Sequence, residues 1–340
     1  MDITNTSRSP LIFGIYPGGD AGSDRGIAAG PPANPVQIET ALSQLAGRVE
    51  PFILRVYERY SDADAPSAYP THPSQHFVQY LQPGRLFDLV VMFQSRRGDV
   101  PGFIEFLRSL IAQHGERLYS VQVTEEANFT HGPDCIDGPW PNVNEALVEG
   151  VKAAKREALR LGLRNLKVGF NSTPTFGSAA EFWSIIGKMG GPAFIESIDY
   201  VGLDFFPDVF RPAPKLRDAA LGVLEMMRST WLPAAGIPES VPIHVTEQGW
   251  PTGPDRPESR QAEVFECLVR AIAEARDRLN IARYTFFALR DAESFNPDSA
   301  GNIFFHFGLM RSDYSPKLAF ETCRQLIAQY GTAPKLNLPQ

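Results

Sequence analysis

Three consecutive stretches decide the fold: YSVQVT at 119–124, NVNEALVEGVKAAKREALRLG at 142–162, and LKVGF at 166–170. The outer two are short runs containing β-branched and aromatic residues. The middle one places Leu147, Val151, Ala154, Ala158 and Leu161 at spacings of three and four, which is one face of a helix. Strand, helix and strand in that order predict a parallel βαβ unit. Asn142 followed three residues later by Glu145 has the form of a capping box, so the helix is expected to start there.

The same unit recurs in both directions along the chain. Strand candidates run Leu11 to Tyr16, Phe52 to Tyr57, Phe87 to Phe93, Tyr119 to Thr124, Leu166 to Phe170, Tyr200 to Phe205, Ile243 to Thr246 and Tyr284 to Leu289. The last helix is expected to use Ser315 as cap, Pro316 in its first turn and Gly331 as stop, with Leu318, Cys323, Leu326 and Ile327 as its apolar stripe. Eight strands alternating with helices predict an α/β fold, a single (β/α)8 TIM barrel over residues 1–340, rather than an open doubly wound sheet. The opening MDITNTSRSP lacks a basic segment followed by a long apolar one, so neither a signal peptide nor a membrane span is expected, and a cytoplasmic location follows as an expectation.

Composition narrows the partners. With 43% hydrophobic and 21% charged residues the chain has material for a core, and 32 basic against 39 acidic side chains give a net charge of -7. That balance argues against nucleic acid or an anionic membrane and favours a neutral partner. Three cysteines without a CxxC pair suggest neither a disulfide framework nor a zinc ribbon. The six histidines form no HExxH, and Pro73 separates His72 from His76, so no metal is expected. PGGDAGSDRG at 17–26 satisfies neither phosphate-loop pattern and is read as a flexible loop, and no other cofactor motif is present.

Barrel enzymes carry their chemistry at the C-terminal ends of the strands. Long connections are expected there after strands 1, 2, 4 and 8. Two glutamates end strands on that face: Glu126 in SVQVTEEANF (120–129) and Glu247 in PIHVTEQGWP (242–251). Strands 4 and 7 are three steps apart around an eight-membered ring, so the two acids should face one another across the mouth. Sugar hydrolysis with retention needs such a pair, one carboxylate to attack the anomeric carbon and one protonated carboxyl to release the leaving oxygen.

VTEQGWPTG (245–253) and the ending FGLMRSDYSPKLAFETCRQLI (307–327) resemble the retaining glycoside hydrolases of clan A. The resemblance implies a retaining glycosidase or transglycosidase acting on a β-linked glycoside, with Glu247 as nucleophile and Glu126 as acid/base. It also implies that Arg55, in FILRVYERY (52–60), lies near the nucleophile and lowers its pKa. Three positions depart from the pattern. Glu125 stands where clan members usually carry Asn, Phe206 lies where many carry Tyr, and Phe287 is the aromatic nearest the usual strand-8 Trp. Tyr57, Trp140, Phe205, Trp250 and Phe287 are candidate walls for sugar rings. The rival readings are a catalytically silent carbohydrate-binding barrel and a metal-using barrel hydrolase.

Overall fold

The structure is a computed structural model that describes residues 10–23, 25–64, 77–133, 135–174 and 176–332. Eight parallel strands close into a barrel: β1 (Ile12–Ile15), β2 (Phe52–Tyr60), β3 (Arg85–Phe93), β4 (Leu118–Val123), β5 (Lys167–Ser172), β6 (Tyr200–Asp204), β7 (Ile243–Gln248) and β8 (Ile281–Phe286). Each pairs with its sequence neighbours, and β1 pairs with β8 to complete the ring. The predicted (β/α)8 TIM barrel is therefore the observed architecture.

The helices are α1 (Pro35–Ala46), α2 (Val100–His114), α3 (Val143–Arg160), α4 (Glu181–Ile195), α5 (Leu216–Met226), the short α6 (Leu232–Ala234), α7 (Glu258–Leu279) and α8 (Leu318–Tyr330). Among the described residues the connection from β2 to β3 contains a 3₁₀ turn at Val78–Tyr80. His72 and His76 lie outside the described residues.

The apolar core sits between the strands and the helices. On β8, Phe286 packs against Phe265 of α7, with ring centroids 5.5 Å apart. Burying an aromatic or aliphatic side chain of this size contributes about 1.5 to 3 kcal/mol, and the layer runs round the whole ring. The barrel interior is polar instead: Arg55, Asp88, Ser120, Gln122 and Arg283 are each fully buried. Asp88 on β3 accepts from Arg55 Nη1 at 2.8 Å and from Arg283 Nη2 at 2.5 Å. A buried ion pair of this kind adds little net stability over an apolar filling, but loss of one partner is costly. The interior therefore fixes directions rather than supplying bulk stability.

Three local expectations are corrected. Asn142 adopts a left-handed conformation (φ 61) and makes no side-chain cap. Its amide donates to Gly98 O at 3.0 Å instead, tying the start of α3 to the loop after β3. The final helix starts at Leu318 rather than at Pro316, because the Ser315 N–H and hydroxyl both turn to Asp313 Oδ1 and leave the helix uncapped by Ser315. Gly331 does end it, donating to Ile327 O. The segment read as a flexible loop contains a hairpin, with Ala21–Ser23 antiparallel to Gly26–Ala28. No helix among the described residues is long and apolar enough to cross a membrane.

Candidate active site

Arg55 organises the C-terminal mouth. It lies opposite Asp88 in the β2–β3 register, points inward and is fully buried. Its Nη1 donates to Asp88 and to Gln122 Oε1 at 2.9 Å, its Nη2 to Glu125 Oε2 at 3.0 Å, and its Nε to Tyr57 Oη at 2.8 Å and Glu247 Oε1 at 3.2 Å. A planar guanidinium presents its donors in a fixed fork, so three carboxylates and a phenol are held at set angles by one side chain.

Strict alternation along a strand would separate neighbouring glutamates onto opposite faces. At the end of β4 it fails, because Thr124 and Glu126 both have positive φ, 64° and 47°. Glu125 and Glu126 consequently both line the mouth. Asp137 secures this bend, its Oδ2 accepting from Phe93 N and Glu125 N, each at 2.8 Å. On β7 alternation would put Glu247 with Val245, which belongs to the helix-facing core. A register shift against β6, between the Leu203–Val245 and Asp204–Glu247 pairs, inserts an extra residue and turns Glu247 inward. Gly202 beneath it has no room for a side chain: a Cβ there would stand 2.7 Å from Thr246 Oγ1 and 2.8 Å from Asn171 Cβ.

Two members of the site were not anticipated. Asp204, at the end of β6, is fully buried and accepts from Thr246 Oγ1 and Asn171 Nδ2. Asn171 on β5 also donates to Glu125 Oε1 at 3.2 Å and accepts from Glu126 N at 2.9 Å, so it joins the acid cluster to the backbone of Glu126. The readable signal was a lone Asp closing an otherwise apolar run, YVGLD, on the face shared with Gly202.

The electrostatics follow from crowding. Burial pushes Asp204 well above the usual carboxylate range, reinforced by the charges of Glu247 and Glu125. Burial also raises Glu126 well above its ordinary value, with Glu125 and Glu247 adding to the effect and Arg55 opposing it. Glu247 is pushed up to about 7 by burial and Glu125, against the lowering influence of Arg55 and the Tyr57 hydroxyl. Arg55 does act in the expected direction on Glu247, but burial and Glu125 outweigh it. Asp88, facing two guanidiniums, is held far below the usual range despite its burial. Oxygens of Glu125, Asp204 and Glu247 lie within 4.8 Å of one another, a spacing that suits a metal ion, and Arg55 already faces all three.

The mouth opens into a cleft of about 900 Å³ lined by Tyr57, Glu125, Glu126, Phe205, Glu247 and Phe287 among others. That volume suits a sugar together with its leaving group. Tyr57 contributes a hydroxyl as well as a ring, donating to Glu247 Oε1. Phe287 stacks on Tyr16 at 5.5 Å. Trp140 and Trp250, expected as sugar platforms, are not among the residues lining the cleft. Trp250 is buried, its indole N–H on Asp208 O at 3.1 Å and Arg256 over its ring, while Trp140 packs against the core.

By fold the chain is a (β/α)8 barrel of the kind that glycoside hydrolases contain. Among solved structures it is similar to a GH2 β-galacturonidase from Eisenbergiella tayi bound to galacturonate, with 13% identity and a TM-score of 0.59 over 89% of this chain and 48% of that one. It is also similar to a Bifidobacterium dentium β-glucuronidase complexed with coumarin-3-O-glucuronide (14% identity, TM-score 0.57, 94% of this chain and 46% of that one). A β-D-glucuronidase of Dictyoglomus thermophilum gives 12% identity and a TM-score of 0.56 over 88% and 48%. The chain spans about half the length of these structures. No protein-family model and no curated protein matches it.

Proposed function

We propose that this chain is a retaining β-glycosidase in which Glu247 is the nucleophile and Glu126 the acid/base. The observation that carries the reading is the unequal environment of two glutamates in one cleft. Burial and Glu125 raise both, but Glu247 also receives hydrogen bonds from Arg55 and Tyr57 that favour its anion, whereas Glu126 has the charge of Glu247 as a further influence keeping its proton. Paired groups whose surroundings push their pKa values apart are what acid and nucleophile roles require. The solved structures named above are glycosidases in their own right and share this fold, which supports the same reading.

In the first step Glu247 attacks the anomeric carbon as the bond to the leaving oxygen breaks, and Glu126 gives its proton to that oxygen. In the second step Glu126, now ionised, takes a proton from water as the water oxygen displaces Glu247 from the sugar. Arg55 and Tyr57 aim the attacking oxygen, and Asn171 fixes the backbone from which Glu126 extends. The two-step reaction is carried by the paired carboxylates and calls for no cofactor.

A 2-deoxy-2-fluoro glycosyl inactivator, followed by peptide mapping, tests the assignment. A glycosyl adduct on Glu247 and a product of retained anomeric configuration are expected. Glu126→Gln should lower kcat by about 10²- to 10⁴-fold on substrates with poor leaving groups, and far less on activated aryl glycosides. Label on a peptide lacking Glu247, or an inverted product, overturns the reading.

A further inference from the structure

The cleft lining is mixed, with most of its exposed aromatic surface gathered on one side. Near β1 and β2 its lining includes Tyr16, Asp20, Tyr57 and Arg59, groups able to hydrogen-bond the hydroxyls of a sugar. The loops after β4, β5 and β6 line it mainly with apolar side chains, Phe129, Ile136, Pro174, Phe176, Phe206 and Phe210, beside which Thr173 and Arg211 are polar groups. Three of these rings stand open to solvent, Phe129 at 40%, Phe176 at 56% and Phe210 at 61% exposure. Phe206 and Phe210 meet edge to face, and Phe304 extends the same wall from the loop after β8. Among the described residues on this side, Asp208 is an acid already engaged, by Ala213 N at 2.9 Å and Arg260 at 2.8 Å.

We infer that the substrate's leaving group is an apolar aryl or alkyl alcohol rather than a second sugar. The inference rests on the glycosidase reading, since Glu126 must stand beside the leaving oxygen and Glu126 belongs to the apolar side. A second pyranose there would lose water from several hydroxyls while meeting few partners to replace it, and unpaired polar groups are costly to bury. An aryl or alkyl group loses nothing of the kind and covers rings that otherwise face water. The sugar itself takes the Tyr57 side, where Glu247 waits.

The test uses the full chain and two kinds of probe. Fluorescence titration with 4-methylumbelliferone should show saturable binding, weakened about tenfold or more by Phe210→Ala and by Phe176→Ala, both exposed rings whose loss leaves the core intact. Methyl β-glucoside and cellobiose should compete poorly. In parallel, inactivator labelling of Glu247 by a 2-fluoro glycoside should be slowed by bound 4-methylumbelliferone. Labelling at Glu247 together with cellobiose binding tighter than 4-methylumbelliferone overturns the aglycone inference and leaves the glycosidase reading standing. Absence of labelling with every 2-fluoro glycoside tried, while 4-methylumbelliferone still binds at Phe210, overturns the glycosidase reading, and with it the apolar wall as a leaving-group site.

Discussion

Glu125 Oε2 lies 3.0 Å from Arg55 Nη2, so the guanidinium that faces Glu247 is shared with a second carboxylate at the same depth. Glu125 raises the pKa of Glu247 and of Glu126 alike. Glu125→Gln keeps an oxygen for Arg55 and Gln122 while removing the charge. The acidic limb of the kcat/KM profile, set by ionisation of Glu247 from about 7, should therefore move down by about one unit, the size typical of a close like charge. The basic limb, set by Glu126, should move down as well. An unchanged profile in the variant removes Glu125 from the electrostatics of the pair.

Tyr57 predicts the opposite displacement. Its hydroxyl donates to Glu247 Oε1 and favours the anion, so Tyr57→Phe should raise the acidic limb above its wild-type position. A hydrogen bond to a charged group is worth about 1.5 to 3 kcal/mol, so kcat/KM measured at pH 6 should fall about tenfold or more and recover in part by pH 8. Equal losses at both pH values would assign Tyr57 to packing alone.

Most of the barrel was readable because each strand is a short β-branched or aromatic run bounded by Pro, Gly, Asp or Asn, and the core faces repeat with the expected periods. Glu126 and Glu247 were picked out from their place at strand ends, whereas Arg55, expected at the end of its strand, lies in the middle of β2 and reaches the mouth through its long side chain. What alternation could not give was the bend at Thr124 and Glu126 and the extra residue in β7, both of which reverse a side chain without changing the residue pattern. Asp204 and Asn171 were missed for a related reason. Each looks like an ordinary polar residue in a strand until the barrel closes and gathers them around Arg55. The tryptophans show the converse: Trp250 sits in the sequence segment most like a nucleophile strand, yet its indole is taken up by Asp208 and Arg256 away from the cleft.

Asp204 links the site to stability. Its folded pKa is raised well above 3.8, so above that value the native state retains a proton that the unfolded chain releases. Stability conferred by this group is complete below the unfolded pKa and declines as pH rises toward the folded one, by up to about 1.4 kcal/mol per pH unit. Asp204→Asn does not titrate in this window. Urea unfolding midpoints compared at pH 5, 6 and 7 should therefore fall more steeply for the wild type than for the variant. Parallel pH dependences would show that Asp204 is ionised in the folded protein.

Lys317 supports the cleft from behind. It is 3% exposed, and its Nζ donates to Asp291 Oδ1 at 2.6 Å, Thr252 Oγ1 at 2.8 Å and His306 O at 3.1 Å. Asp291 Oδ1 also accepts from Gly308 N at 2.8 Å, so the ammonium anchors both ends of the segment that carries Phe304 and Phe307 into the cleft. Lys317→Met preserves the length of the side chain but leaves Asp291 buried without its counter-charge. Breaking a buried pair in this way costs about 3 to 5 kcal/mol, which should appear as a lower urea midpoint in equilibrium unfolding. The double variant Lys317→Met with Asp291→Asn removes both charges and should recover part of that loss. If the double variant is no more stable than the single one, the ion pair is not what secures this segment, and the backbone bonds of the loop after β8 hold the phenylalanine wall without it.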